Sequence, residues 1–66
     1  MKYLDKSVDI LDIDVSLLKK NNINLIGELY KKNRKELKSI GYKDSEINLI
    51  SIKLQLLGLD LNGRIY

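Results

Sequence analysis

The chain has 66 residues and neither cysteine nor histidine, so it forms at most one small domain, with no disulfide and no typical zinc ligands. Without His and Cys the usual acid–base and thiol groups of enzymes are missing, and we expect no catalysis, no cofactor and no metal. The net charge is +3, and positive residues are concentrated between residues 15 and 43, where a basic patch can attract a polyanion such as DNA.

Residues 1–7 are predicted to be a flexible N-terminus. Acidic residues interrupt the apolar run that a signal peptide needs, and no segment approaches the roughly 20 apolar residues of a membrane span. We therefore expect a cytoplasmic protein that does not contact a membrane. Val8 to Ile13 is apolar but short, which predicts an extended or single-turn segment laid across the core.

Two short helices are predicted next. The first runs from about Val15 to Asn21, with the carboxylate of Asp14 as its cap. The second runs from Leu25 to Lys32, with Asn24 as its cap. Gly27 inside this helix is less favourable than Ala by about 1 kcal/mol, which indicates a close backbone contact there, with the first helix as the expected partner.

The second half of the chain predicts a helical hairpin. Asn33 and Glu36 have the spacing of a capping box at the start of a third helix. Its buried pair is Leu37 and Ile40, and Gly41 ends it with a positive φ angle.

A long fourth helix follows, capped by Asp44. Its inward stripe recurs at helical spacing and comprises Ile47, Ile50, Leu54 and Leu57. Three further apolar residues widen the stripe, so we expect this helix to be covered on more than one side: Leu49, Ile52 and Leu56. Gly58 ends the helix, and Leu59 and Leu61 are expected to pack.

The apolar residues from Leu37 to Ile50 follow the helix-hairpin-helix pattern hxxhGhGxxxhxxh, where h is apolar. Gly41 fills the first glycine position and Lys43 the second. The predicted fold class is all-α, a compact bundle of four to five short helices ending in a helix-hairpin-helix with a long last helix. The helical domain is expected over residues 8–62, followed by a tail at 63–66.

The run LKKNNINLIGEL, Leu18 to Leu29, resembles the C-terminal domain of the bacterial RNA polymerase alpha subunit. Ile10 to Ile13 upstream, and Gly58 to Leu61 followed by Arg64 downstream, resemble the entry and exit segments of that family. The resemblance implies a compact helical domain that binds promoter DNA through the minor groove and contacts transcription regulators. A weaker resemblance, from Asn33 to Leu57, is to sterile alpha motif domains.

The first hypothesis is a non-catalytic, transcription-linked domain that binds DNA weakly, through the minor groove or the backbone, and contacts RNA polymerase or a transcription regulator. Backbone N–H groups at the start of the fourth helix can hold a phosphate. The expected nucleic-acid-binding residues lie there and on the first helix: Ser16, Lys19, Lys20, Lys43 and Ser45.

The alternative is a protein–protein interaction domain of the same shape that binds no DNA. Its expected contact residues are Tyr42, Leu49 and Ile52, taken as exposed apolar side chains. The arginine central to DNA binding in the alpha-subunit family has no counterpart here, and Glu46 places negative charge where a phosphate would approach. These departures favour the alternative and the basic patch favours DNA, so the sequence leaves both hypotheses open.

Overall fold

The computed structural model describes residues 3–65, and within them the fold is mostly helical. A 3-10 turn comes first, followed by four α-helices: the turn Val8–Leu11, α1 (Ser16–Lys20), α2 (Ile26–Leu29), α3 (Arg34–Ser39) and α4 (Asp44–Gln55). Two short antiparallel strands follow, β1 (Leu59–Asp60) and β2 (Arg64–Ile65). The prediction of a mostly helical fold is therefore confirmed. The predicted all-α class needs correction, because the chain also forms this small sheet.

The core gathers aliphatic and tyrosine side chains from the turn, every helix and β1. α4 supplies its centre, because Ile47, Ile50 and Leu54 are almost completely buried, as their spacing predicts. The other buried members are Val8, Leu11, Leu18, Ile23, Ile26, Leu29, Tyr30, Leu37, Tyr42, Leu59 and Leu61. Leu57, the predicted fourth member of the α4 stripe, is half-buried beyond the end of the helix.

The start and end of α3 confirm the local predictions. The Asn33 side chain accepts the Glu36 N–H at 2.8 Å, and the Glu36 carboxylate accepts the Asn33 N–H at 3.2 Å. Gly41 follows the helix with a φ of 119°. Such a backbone conformation strains any residue with a Cβ, so the helix stops where the sequence predicts.

Two of the predicted caps are wrong. At α2 the carboxylate of Glu28, not the side chain of Asn24, satisfies the free N–H groups, accepting from Asn24 and Leu25 at 3.0 Å each. At α4 Asp44 is the first helical residue, and Glu46 accepts the Lys43 N–H at 2.9 Å. In both helices a Glu reaching back from the first turn replaces the expected cap.

The segment from Tyr3 to Ser7, predicted to be loose, is hydrogen-bonded to α2. The Gly27 N–H donates to the Leu4 carbonyl at 2.8 Å, and the Ile26 N–H donates to the Lys6 carbonyl at 2.9 Å. The close backbone contact predicted at Gly27 therefore exists, but it is made with this segment and not with α1. Residues 1 and 2 of the predicted flexible N-terminus lie outside the described residues.

The predicted tail forms a β-hairpin. Asp60 pairs with Arg64 across it, and the turn places Asn62 and Gly63 at φ angles of 67° and 71°. The turn is anchored to the helices because the Asn62 and Gly63 N–H groups donate to the carbonyls of Lys32 and Tyr30, both at 2.8 Å. Residues 63–65 are thus part of the domain, and residue 66 lies outside the described residues.

Candidate interaction surfaces

The start of α1 lies beside the start of α4, which is the arrangement that the DNA hypothesis needs. The Tyr42 hydroxyl donates to the Asp14 carbonyl at 2.8 Å, just before α1. The side chain of Leu17 packs over the turn after α3, where a Cβ added to Gly41 would lie 3.3 Å from Leu17 Cδ1. We call this region the α1–α4 junction.

Two of the predicted DNA-binding residues near this junction are bound to carboxylates. The Ser16 hydroxyl donates to Asp14 Oδ1 at 2.7 Å, and Lys19 Nζ is paired with Asp9 Oδ2 at 2.8 Å. Hydrogen bonds from Lys19 and then Ser7 lower the pKa of Asp9, and hydrogen bonds from Ser16 lower the pKa of Asp14. Both carboxylates therefore stay ionised, and Ser16 and Lys19 offer little to a phosphate.

Tyr42 is not a surface residue. Only 3% of it is exposed, and its hydroxyl is satisfied by the Asp14 carbonyl. Burial, together with the nearby charges of Asp14 and Glu46, raises the pKa of Tyr42. The prediction that Tyr42 is an exposed side chain is therefore wrong, because its ring packs into the core while its hydroxyl binds a backbone carbonyl.

The remaining predicted DNA-binding residues are exposed. Lys43 and Ser45 flank the start of α4, and Lys20 lies at the far end of α1 from the junction. Within residues 3–65 none of these three side chains makes an ion pair or a side-chain hydrogen bond. They are free to bind a ligand, but the Glu46 carboxylate lies next to Lys43 and Ser45 in the chain and accepts the Lys43 N–H.

Positive charge gathers at a second place that the sequence reasoning missed. Arg34, Lys35 and Arg64 line a cleft of about 320 Å³ between α3 and the β-hairpin, together with Asn33, Asp60, Leu61 and Asn62. Arg34 also donates from its guanidinium to Asn48 on α4 at 2.7 Å. No α1 residue lines this cleft. The basic residues between positions 15 and 43 therefore do not form one continuous surface at the α1–α4 junction.

The face of α4 opposite the core is apolar and uncovered in the described residues. Leu49, Ile52 and Leu56, the last of them directly after the end of the helix, are 44%, 53% and 75% exposed, at positions i, i+3 and i+7. We call these three residues the outer stripe. The expectation that they would be covered within the domain is wrong, while Leu49 and Ile52 are accessible, as the protein-interaction hypothesis requires. Leu56 lies on the same face, and its helical spacing from Leu49 and Ile52 is the sequence feature that indicates this.

A small cleft opens beside Leu49, at the N-terminal end of the outer stripe. Its volume is about 120 Å³, and its lining is mainly apolar with two carboxylates at the edge: Ile13, Asp14, Tyr42, Glu46, Leu49 and Ile50. The N-terminal end of the outer stripe therefore adjoins a cleft, whereas the side chain of Leu56 projects into solvent at its C-terminal end.

Comparison with known proteins adds no assignment to these surfaces. No protein-family model matches the chain, and no curated protein matches it. No helix within residues 3–65 has the length and apolar character needed to cross a bilayer. Over the same residues the acidic side chains form no group of three or more that is arranged to hold a metal ion.

Proposed function

We propose that this chain is a non-catalytic protein-interaction domain that binds its partner through the outer stripe of α4. The observation that carries the proposal is the alignment of three exposed aliphatic side chains on one face of the longest helix. An amphipathic helix can bind a partner protein by laying an apolar face into a hydrophobic groove. Burial of Leu49, Ile52 and Leu56 against a partner removes apolar surface from water.

The other exposed aliphatic residues do not form such a surface. Ile10 belongs to the 3-10 turn, Leu25 precedes α2 and Ile65 belongs to β2. Single exposed apolar side chains are normal on soluble proteins and need no partner. Among the exposed aliphatic residues between positions 3 and 65, only those on α4 and at its C-terminal cap follow one another at the spacing of a helix face.

The resemblance to the RNA polymerase alpha C-terminal domain supports a transcription-linked partner, RNA polymerase or a regulator. The resemblance spans most of the domain, and the contact between Tyr42 and the segment before α1 is compatible with that shape. The partner class therefore follows from the resemblance, while the choice of surface follows from the exposure of α4.

A photo-crosslinking amino acid placed at residue 52 tests the proposal in cells that express the chain. Ile10 is the matched control position, because Ile52 and Ile10 are the same residue type and are both 53% exposed. We expect position 52, and not position 10, to give adducts with a protein identified by mass spectrometry and reproduced with the purified pair. Adducts that are the same from both positions would contradict the proposal.

DNA binding is the second candidate, favoured by the exposed and unpaired Lys20, Lys43 and Ser45. We expect it to be weak, micromolar or poorer, because few phosphates can be contacted and Asp14 and Glu46 oppose them. An NMR titration with an AT-rich duplex, between about 50 and 200 mM salt, measures it.

The pattern of chemical-shift changes decides among the outcomes. Changes at Lys43 and Ser45 that fade with salt, and that Lys43→Glu abolishes, would support DNA binding at the α1–α4 junction. Changes confined to Arg34, Lys35 and Arg64 would move the contact to the basic cleft. No change at low salt would eliminate the DNA candidate.

A further inference from the structure

We propose that the basic cleft binds a phosphate monoester. The basic cleft is the space between α3 and the β-hairpin that Arg34, Lys35 and Arg64 line, with a volume of about 320 Å³. No residue of the outer stripe lines it, so this inference goes beyond the proposed function and does not depend on it. It follows from the bonds that hold the cleft, from its unpaired cations and from its net charge.

Hydrogen bonds hold the two walls of the basic cleft in place. The N–H groups of Asn62 and Gly63, in the hairpin turn, donate to carbonyls in the chain between α2 and α3, both at 2.8 Å. The guanidinium of Arg34 donates to Asn48 Oδ1 on α4 at 2.7 Å. The hairpin and the start of α3 are therefore joined beside the cleft, and a ligand binds without rearrangement of the backbone.

The three cations of the cleft are not neutralised by the protein. In the described part of the chain, neither Lys35 nor Arg64 makes an ion pair or a side-chain hydrogen bond, and Arg34 is bonded to the uncharged Asn48. Three other basic residues are paired with carboxylates: Lys19, Lys32 and Lys38. The basic cleft thus keeps its positive charges available to an anion from outside.

A carboxylate lines the same cleft, but its hydrogen bonds lead to α4 and to its own strand. Asp60 Oδ1 accepts the Ser51 hydroxyl at 2.6 Å and the Leu61 N–H at 2.7 Å. Asp60 Oδ2 accepts the Gln55 amide at 3.1 Å. Arg64 is the cross-strand neighbour of Asp60, and yet no ion pair joins the two side chains.

The net charge of the lining selects the class of anion. Three cations and one carboxylate give the lining a net charge of +2. A phosphate monoester carries about −1.5 to −2 at neutral pH, whereas a phosphodiester or a carboxylate carries one negative charge. The guanidinium groups of Arg34 and Arg64 also present planar pairs of donors, which suit phosphate oxygens.

Two amide side chains add uncharged donors to the lining. Asn33 Oδ1 accepts the Glu36 N–H at 2.8 Å, which leaves the Nδ2 group of Asn33 as a donor. Asn62 lines the cleft as well, and its side chain is exposed. The volume of the cleft lies at the lower end of the range for small-molecule sites, so the group that carries the phosphate also has room.

Three matched ligands test the class of anion by NMR titration. Adenosine 5′-monophosphate is a dianionic monoester, adenosine 3′,5′-cyclic monophosphate is a monoanionic diester, and adenosine has no phosphate. In about 20 mM salt we expect the monoester to shift the amide resonances of Lys35, Asn62 and Arg64 with a dissociation constant of about 1 mM. The diester should bind about fivefold more weakly, and adenosine should shift none of them. Equal binding of monoester and diester, or no shift with the monoester at about 20 mM, would overturn the proposal.

Lys35→Gln and Lys20→Gln form a matched pair of variants. Both lysines are exposed, neither is in an ion pair within residues 3–65, and each variant removes one positive charge. We expect Lys35→Gln, and likewise Arg64→Gln, to weaken binding of the monoester about fivefold, and Lys20→Gln to leave it unchanged. Circular dichroism establishes that the variants are folded. Equal weakening by Lys35→Gln and Lys20→Gln would overturn the site, because net charge alone would then explain the binding.

Further probes identify the source of the phosphate. Inorganic phosphate and a phosphoserine tripeptide are titrated beside the nucleotide, with the unphosphorylated tripeptide as the control. Tighter binding of the phosphoserine tripeptide would assign the cleft to a phosphorylated protein, and tighter binding of the nucleotide would assign it to a small phosphorylated molecule. An AT-rich duplex that shifts the same resonances at tenfold lower phosphate concentration would overturn the monoester and assign the cleft to nucleic acid.

Discussion

Replacement of Gly27 by alanine tests whether the segment from Tyr3 to Ser7 is docked on α2. In a helix, Gly to Ala ordinarily stabilises by about 1 kcal/mol. Here an added Cβ would lie 2.7 Å from the Leu4 carbonyl oxygen and 3.3 Å from Leu4 Cβ. A backbone oxygen cannot rotate away as the end of a side chain can, so the segment must move.

The loss expected from that movement exceeds the gain in helix propensity. Two backbone hydrogen bonds are broken, from Gly27 to Leu4 and from Ile26 to Lys6, each worth about 1 kcal/mol. The half-buried side chain of Leu4 loses about 1 kcal/mol of apolar burial. Against the gain of about 1 kcal/mol, the net destabilisation is about 2 kcal/mol, or roughly 8–16 °C in Tm for a domain of this size.

Urea unfolding, monitored by circular dichroism, measures this change. The same substitution is then measured in a chain that lacks residues 1–5. Without those residues the clash is gone, and Gly27→Ala should become stabilising by up to about 1 kcal/mol. Gly63→Ala is the control, because Gly63 has a φ of 71° and open space around it, so its effect should be the same in both chains. Stabilisation by Gly27→Ala in the full chain would refute the docking of the segment.

Three further predictions follow from single residues. Gly41→Val should destabilise by more than about 1 kcal/mol, since φ is 119° and Leu17 already lies 3.3 Å from the new Cβ; an unchanged urea midpoint would contradict this. Ile50→Asp should abolish the cooperative thermal transition, because it buries an unpaired charge at the centre of the core. Two backbone N–H groups lower the pKa of Glu28, so its contribution to stability is present above its ordinary pKa and is lost as pH falls through the lower folded value. Tm should therefore drop less on acidification in Glu28→Gln than in the wild type, and parallel Tm curves would refute this.

The features that the sequence predicts correctly depend on residues a few positions apart. The reciprocal bonds of Asn33 and Glu36 close within one helical turn, and the positive φ of Gly41 follows from a glycine placed just after the last apolar residue of α3's pattern. Docking of the segment before Ser7 depends instead on residues about twenty positions away. Its only local signal is the glycine at residue 27, which predicts a close contact without naming the partner.

The C-terminal hairpin has a local signal in the sequence. Asn62-Gly63 is a pair that adopts positive φ angles in tight turns. The flanking strands Leu59–Asp60 and Arg64–Ile65 have two residues each, too few for any alternation of polar and apolar residues to be read. Their stability comes from the hydrogen bonds that the turn makes with the residues after α2, and these are tertiary contacts.

The side of α4 that faces the core could not be chosen from the pattern alone. Apolar residues occupy two opposite faces of the helix, and a helix that is apolar on more than one face is expected to be buried on more than one side. A domain of 66 residues has too little chain to cover both faces, so one stripe is buried and the other is left exposed. The candidate surface is thus visible in the sequence as an excess of apolar residues, but only the fold shows which residues form it.

Asp14 and Glu46 connect the local structure of the helices to the choice between the two functions. Each accepts a backbone N–H at the start of a helix, from Ser16 and from Lys43, and both carboxylates line the cleft at the α1–α4 junction. Hydrogen bonding to the ionised form keeps the pKa of Asp14 below its ordinary value, so its charge is fixed at neutral pH. These two carboxylates therefore repel a phosphate at the junction. The side chains of the outer stripe carry no charge themselves, and this difference favours a protein partner over DNA.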